Sequence, residues 1–586
     1  MDIFSVTLVG SILLFVAIGN YAGRSVKQLD DYFVAGRRAP TLFILGTLVA
    51  SVFSSTIFLG EAGFTYAGQM GPYLLFPGIT VTGYVYGALL FGRYLRRSRA
   101  PTVADYFGQR FNSPRLQQAA GAIIILALGA YLLVVTQGAA LLLQDLLGVS
   151  YVQGLIIAWL SYTVFTMYSG SQGVILTDTL MFLLFAIATI AFGVYVVADL
   201  GGVPAAVEKM ATLEAKPGIA AWHGVVGDDT EWATPFDYLI WAIVIDSAWS
   251  LVYAVSPWQS SRHLMAKNEH VVIRAAILTC LAVIVLQFFI YGVSGLINLY
   301  KPDIMPVETV MIWAAKNVVP EFLGALLLAG IMAAALSSAS TFLSLVGFSA
   351  SNDISPSKDP IGLRTTRVII SAVSIAALLA AFFFPPNIFW LMLFIGTVFA
   401  SSWGPVALMS VWSKRITEQA AYWGLLSGVI LSVGPAALEY AGLVTFPHFF
   451  NPTIIGTLVS LCVILVLSRR SAVTAPEKHY FETLHVAQAS DCDPRAVWVT
   501  KLVAGSLVAY GCIMPFVMHW LYVIPYQRGA GHLIEGRVDW SRGEALLPLT
   551  STALFIPLGL FALWRIRRDY AGPANAAVQD AARQNA

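Results

Sequence analysis

Residues 323–354 read LGALLLAGIMAAALSSASTFLSLVGFSASNDI. The run is long and apolar enough to cross a bilayer, which takes about 20 residues at 1.5 Å rise each. Its middle nevertheless carries Ser337, Ser338, Ser340, Thr341 and Ser344. Positions 337, 341 and 344 are spaced i, i+4, i+7 and so share a face. A hydroxyl in hydrocarbon needs a partner. In ordinary membrane helices it back-bonds to a carbonyl one turn earlier, or lets a neighbouring helix pack closely. A second reading makes the adjacent Ser337 and Ser338 hard, neutral oxygen donors to a small dehydrated cation such as Na⁺. Neighbouring residues point about 100° apart on a helix, so both reach one ion only if it sits beside the helix, between their directions.

The rest of the chain belongs to the same solvent. Hydrophobic residues make up 58% and charged residues 11% of the 586 positions. Apolar runs of roughly 20 residues recur along nearly the whole length, which defines an all-α polytopic membrane protein. The formal net charge of +2 gives no reason to expect nucleic acid. The four cysteines, Cys280, Cys462, Cys492 and Cys512, are scattered without a CxxC, which argues against a disulfide framework or a zinc site. No HExxH and no GxxxxGK[ST] occur, so neither an intramembrane metalloprotease nor an ATP-driven pump is expected. The first apolar run lacks a basic n-region and reads as a retained span rather than a signal peptide.

Fifteen spans are predicted, over 3–22, 41–66, 73–94, 116–146, 151–169, 173–199, 235–257, 271–298, 321–350, 367–385, 388–412, 419–442, 453–468, 498–523 and 546–565. With the N-terminus outside, all but seven of the 34 Lys and Arg residues fall in inner loops or the tail; the seven are Lys209, Lys216, Lys301, Lys316, Arg528, Arg537 and Arg542. That bias predicts an inner-membrane protein with its N-terminus outside and its C-terminus in the cytoplasm. The segments 41–199 and 235–412 each hold five spans. Five is odd, so two consecutive such units are inverted relative to one another, as in transporters whose site lies at mid-membrane where the first helix of each repeat is broken. Both first helices look breakable. One carries Ala50-Ser51-Val52-Phe53-Ser54-Ser55-Thr56, then Gly60-Glu61-Ala62-Gly63; the other carries Asp246-Ser247 and Ser256-Pro257, where proline frees a carbonyl. The chain thus divides into an N-terminal span and inner loop (1–40), a first repeat (41–199), an outer loop (200–234), a second repeat (235–412), additional spans (413–470), an inner polar loop (471–497) and two C-terminal spans with a tail (498–586). The polar loop reads as solvated linker, with docking of a partner as the alternative.

Several motifs resemble the sodium:solute symporter family, in order and at the right spacing, over roughly residues 1–470. They are Asp31-Tyr32-Phe33-Val34-Ala35-Gly36-Arg37 after the first span, Pro101 to Phe107 with Arg110-Phe111 before the fourth, and GSQGVILTD from Gly170 to Asp178. Leu336 to Ser340 with Asp353-Ile354, and Gly404-Pro405 with Trp412 to Arg415, complete the set. The resemblance implies a LeuT-like five-plus-five core with one N-terminal and about four C-terminal extra helices. It also implies coupling of solute uptake to a sodium gradient, with no cofactor beyond Na⁺ and with the solute, the ion and the lipid bilayer as partners.

Carried over residue by residue, the resemblance assigns sodium to the main-chain carbonyls of Ala50, Phe53 and Ala334 and the hydroxyls of Ser337 and Ser338. Five neutral oxygens suit a monovalent ion, because divalent sites recruit carboxylates. Asp178 matches an acidic residue near the sodium exit route; otherwise it is an interfacial helix-start aspartate. Thr56, Ile57 and Ser256 stand where the family's sugar carriers present polar side chains, which disfavours sugar. Trp258 falls near the aromatic that closes the inner side of the pocket, or else anchors the chain at the interface. Glu61 and Asp246 are intramembrane carboxylates and so candidate functional groups. They point to an amino acid or other amine-bearing solute, although broken-helix amides can also meet a small carboxylate. A sensor acting with a separate signalling partner, and a proton-coupled symporter, are the competing functions.

Overall fold

Ser113-Pro114, Thr234-Pro235, Asn451-Pro452 and Asp493-Pro494 each place a capping side chain before a proline at the first helical position, where a missing N–H is harmless. In the computed structural model all four side chains accept hydrogen bonds from first-turn N–H groups, and a helix begins at each. The structure describes residues 2–74, 76–228, 230–356, 362–383, 388–447 and 451–570. Lys358 and Arg583, part of the predicted charge asymmetry, lie outside the described residues.

Among the described residues every extended regular element is a helix. After α1 (Ile3–Gly23) comes a first group: α2 (Thr41–Ala50), α3 (Thr56–Tyr73), α4 (Pro77–Ser98), α5 (Pro114–Leu147) and α6 (Tyr151–Asp199). A second group holds α7 (Pro235–Val255), α8 (Pro257–Met265), α9 (Glu269–Leu299), α10 (Glu321–Phe348), α11 (Leu363–Phe383) and α12 (Ile388–Trp412). The chain continues through α13 (Glu418–Tyr440), α14 (Pro452–Arg470), α15 (Ala475–Leu484), α16 (Pro494–Gly529) and α17 (Gly543–Tyr570).

Twelve helices among the described residues are each long and apolar enough to cross a bilayer, against fifteen predicted spans. The difference comes from elements that are not single straight rods. α6 has 49 residues, about 74 Å at 1.5 Å per residue and more than twice a hydrocarbon core of about 30 Å. It turns sharply at Gly170, whose φ of +53° suits glycine. Ser169 folds back so far that a Cβ on Gly173 would lie 2.2 Å from its own. α6 therefore carries the two spans predicted at 151–169 and 173–199. The remaining two are α2 with α3, broken between Ala50 and Thr56, and α4, which bends away from α3 by 80°.

The second break falls at Ser256, whose extended ψ of 147° ends α7 before Pro257 opens α8. Two readings are corrected here. Arg262, counted among loop residues, lies in α8 and is 1% exposed, because the helix resumes after the proline instead of ending there. The loop read as solvated linker carries α15, with Phe481 and Leu484 buried. Arg110 donates to the Glu477 carbonyl at 3.2 Å and Arg97 to the Leu484 carbonyl at 2.8 Å, so this segment is docked on the helices.

α10 lies at the centre. Every residue from Leu327 to Phe348 is buried, and the helix packs against α1, α5, α6 and α11, with α2 and α8 also in contact. Ser340 and Ser344 donate to the Ser337 and Ser340 carbonyls of α10 itself, each at 2.8 Å, whereas Ser337, Ser338 and Thr341 meet partners on other elements.

Candidate functional site

The serine pair of α10 meets the first break. The Ser338 hydroxyl lies 3.3 Å from the Ala50 carbonyl oxygen and 3.2 Å from that of Phe53, donating toward both. The break is what exposes those carbonyls, since no continuing helix claims them. Ala334 precedes Ser338 by one helical turn, so it shares that face of α10, and both residues are wholly buried.

Ser337 directs its hydroxyl hydrogen to Asp178, which leaves its oxygen lone pairs to accept. Its hydroxyl donates to Asp178 Oδ1 at 2.6 Å, while Thr47 of α2 donates to Oδ2 at 2.5 Å. Arg262 Nη2 lies 3.5 Å from the same Oδ2 and also donates to the Thr341 hydroxyl. Asp178 is completely buried, so it is not a helix-start aspartate at an interface. A buried carboxylate is tolerable when hydrogen bonds and an opposite charge surround it, and α2, α8 and α10 each supply a partner. Thr47 and Arg262 had not been singled out in the sequence. The usable signal for Arg262 was its place one turn after Trp258 in a helix restarting at proline.

The remaining positions fall into two groups. Thr56 shares a 2.5 Å hydroxyl contact with Ser54, and Ile57 is buried beside it. Trp258 is 1% exposed and sits edge-on to Tyr131, Phe342 and Phe399, which places it inside the bundle and not at an interface. The Ser256 hydroxyl is buried with no partner among the described residues. Glu61 accepts a hydrogen bond from the Tyr291 hydroxyl, and Tyr291 is edge-on to Tyr73 at 5.2 Å. Nothing in the sequence linked Tyr291 to Glu61. Asp246 makes no hydrogen bond or ion pair among the described residues, but it lies within electrostatic reach of Glu61. Among the described residues neither acid forms an ion pair with a Lys or Arg. Among the described residues no cluster of three or more His, Cys, Asp or Glu is placed to hold a metal ion.

Two broken helices packed against an unbroken one, with freed carbonyls and hydroxyls meeting where they touch, in a five-plus-five helical fold, are the architecture of a secondary transporter. The chain matches the sodium:solute symporter family over residues 32–428 and belongs to it. It is 26% identical over 478 residues to the sodium/pantothenate symporter of Escherichia coli (strain K12), covering 79% of this chain and 95% of that one. The sodium/proline symporter of Salmonella typhimurium is 25% identical, with 73% of this chain and 86% of that one covered. A Na⁺-coupled sialic acid symporter in a substrate-bound, outward-open state shares the fold with a TM-score of 0.68 at 19% identity, over 81% of this chain and 99% of that one. Mhp1, a nucleobase-cation-symport-1 family transporter in a closed conformation, follows at 0.53 and 13%, over 78% and 99%. The fold is therefore LeuT-like. The protein is a multi-pass inner-membrane transporter, a sodium-coupled symporter of small solutes and not an enzyme.

Proposed function

We propose that sodium binds between the first helix break and α10, held by the carbonyls of Ala50, Phe53 and Ala334 and the hydroxyls of Ser337 and Ser338. Its downhill entry carries an amine-bearing small solute into the cell by alternating access. The observation that carries this reading is the approach of Ser338 Oγ to two carbonyl oxygens at 3.2 and 3.3 Å. One hydroxyl hydrogen cannot fully serve two carbonyls, whereas a cation among the three oxygens serves them all. Asp178, one hydrogen bond from Ser337, marks the ion's exit route and lends negative potential without joining the ligand set.

Thr56, Ile57, Glu61, Asp246, Ser256 and Trp258 line the solute pocket or its gate. Two intramembrane acids, neither paired with a Lys or Arg among the described residues, favour a solute that brings its own positive charge. The amino-acid relative, a proline symporter, fits that preference. The Lys and Arg distribution supports a N-terminus outside and a C-terminus in the cytoplasm.

The test is Ser338→Ala in proteoliposomes. The sodium concentration for half-maximal uptake should rise about tenfold, the equivalent of about 1.4 kcal/mol, with expression near normal. Unchanged sodium dependence would overturn the ion assignment, and full accumulation on a proton gradient without sodium would hand the coupling to protons.

A further inference from the structure

α8, the half-helix beyond the second break, concentrates polar groups that nothing in this conformation answers. Both amide atoms of Gln259, the hydroxyls of Ser256 and Ser260, and His263 Nδ1 are buried without a hydrogen-bond partner among the described residues. Ser256, Gln259 and Ser260 are wholly enclosed, and His263 is 3% exposed. Positions 256, 259, 260 and 263 follow i, i+3, i+4, i+7, so the four form one stripe along the helix. The other faces of α8 are occupied. Trp258 and Arg262 turn to Tyr131, Phe342, Asp178 and Thr341, while Ser261 and Leu264 line a small cavity with Thr102 and Phe348. At its far end the stripe meets α4 closely: a Cβ on Gly92 would lie 2.4 Å from the His263 ring.

A joint closes the bundle at that end. The Ala39 N–H donates to the Met265 carbonyl at 3.1 Å, and the Lys267 N–H donates to the Ala39 carbonyl at 2.9 Å. Arg96, from the end of α4, donates to the carbonyls of Ala266 and Lys267. The start of α2 and the end of α8, the halves of the two broken helices on the same side of the membrane, are thereby tied together on the Lys- and Arg-rich face. The unanswered stripe lies between this joint and the central pocket.

A polar side chain inside a membrane bundle is stable only if some state of the molecule gives it a partner. We propose that Ser256, Gln259, Ser260 and His263 line the route by which the solute leaves the pocket toward the Lys- and Arg-rich face, and that they are wetted when the Ala39–Ala266 joint opens. The inference rests on the transporter reading but not on the assignment of the sodium ligands. The stripe holds donors and acceptors without a carboxylate, so it passes a solute that Glu61 and Asp246 have released without binding it again tightly.

The experiment uses the full-length protein in lipid nanodiscs, where both faces meet solvent, with Cys280, Cys462, Cys492 and Cys512 replaced by alanine. Ser260→Cys is compared with Ser261→Cys, which is also buried but about 100° further round the helix, facing the small cavity with Thr102 and Phe348. The probe is a trimethylammonium thiosulfonate, added in sodium or in potassium medium. Cys at 260 should react at least tenfold faster than Cys at 261, and faster in potassium than in sodium. Reaction at 260 no faster than at 261 in both media overturns the proposal and leaves those polar groups to water fixed in every state. Ser256→Cys gives the same comparison should Ser260→Cys fold poorly. The thermal shift produced by sodium is read on the same samples: its loss would undo the ion-site reading, while the reactivity ratio still decides the route.

Discussion

The two helix breaks lie close together yet treat their polar groups in opposite ways. At the first, Ser51 donates to the Leu48 carbonyl, Ser54 pairs with Thr56, Ser55 donates to the Val135 carbonyl, and Ser338 reaches the two freed carbonyls. At the second, Ser256, Gln259 and Ser260 have no such partners among the described residues. A break whose groups are already held keeps a fixed shape, as the ligand shell of a small ion requires. One with idle groups depends on partners that come and go. On the two proposals made above, the first serves as a site and the second as a passage.

The strongest way to break this contrast is to disturb what fastens the first break to its neighbours. Asp178→Ala strands Arg262, which is 1% exposed, and removing one partner of a buried ion pair costs about 3–5 kcal/mol. Sodium-driven uptake should vanish and thermal unfolding should fall well below wild type. Asp178→Asn can still accept from Ser337 or Thr47 and should fold better. Wild-type unfolding of the alanine variant would show that this cluster does not organise the site.

Glu61→Gln tests the solute side of the same helix. Its amide oxygen can still accept from Tyr291, so the fold should persist, while uptake of an amine-bearing solute should be lost and the sodium-induced thermal shift kept. Wild-type uptake kinetics would remove Glu61 from the pocket. A smaller effect is expected from Ser55→Ala, which deletes a 3.1 Å hydrogen bond to α5, a contribution of about 1 kcal/mol. Sodium half-saturation should rise no more than about fivefold, less than for Ser338→Ala, and an equal or greater rise would reverse the ranking of ligand over support.

The smallest effect concerns the loop between α6 and α7, where the Lys216 ammonium donates to the Tyr66 carbonyl at 2.8 Å and lies 3.8 Å above the Tyr66 ring. Burial lowers its pKa to about 8, against an ordinary value of about 10.4. Between those values the unfolded chain holds more protons, so this group makes stability rise with pH across that window. Lys216→Met should flatten that rise in thermal unfolding measured from pH 8 to 10.5. An unchanged slope would mean that Lys216 does not titrate as part of the cover over α3.

Much of this was legible without coordinates because it is local. Run lengths located most of the passages, and Ser256-Pro257 located the second break. What escaped was the choice of partners. Arg262 reads as a loop residue until α8 is seen to resume, and its pairing with Asp178 spans 84 positions. The bond from Tyr291 to Glu61 spans 230. α15 reads as linker because its polar residues hide how Phe481 and Leu484 dock.

The sequence by itself determined that the chain lives in a bilayer, that its helices fall into two groups of five, and that oxygen-rich segments interrupt or line them. Those are consequences of hydrophobicity, helical rise and proline geometry, each readable within a few turns. Only the tertiary structure decided which hydroxyl meets which carbonyl and which acid is paired. A helix such as α10, buried on every side from Leu327 to Phe348, carries no amphipathic stripe to announce its neighbours, so partner choice rests on packing between segments far apart in the chain.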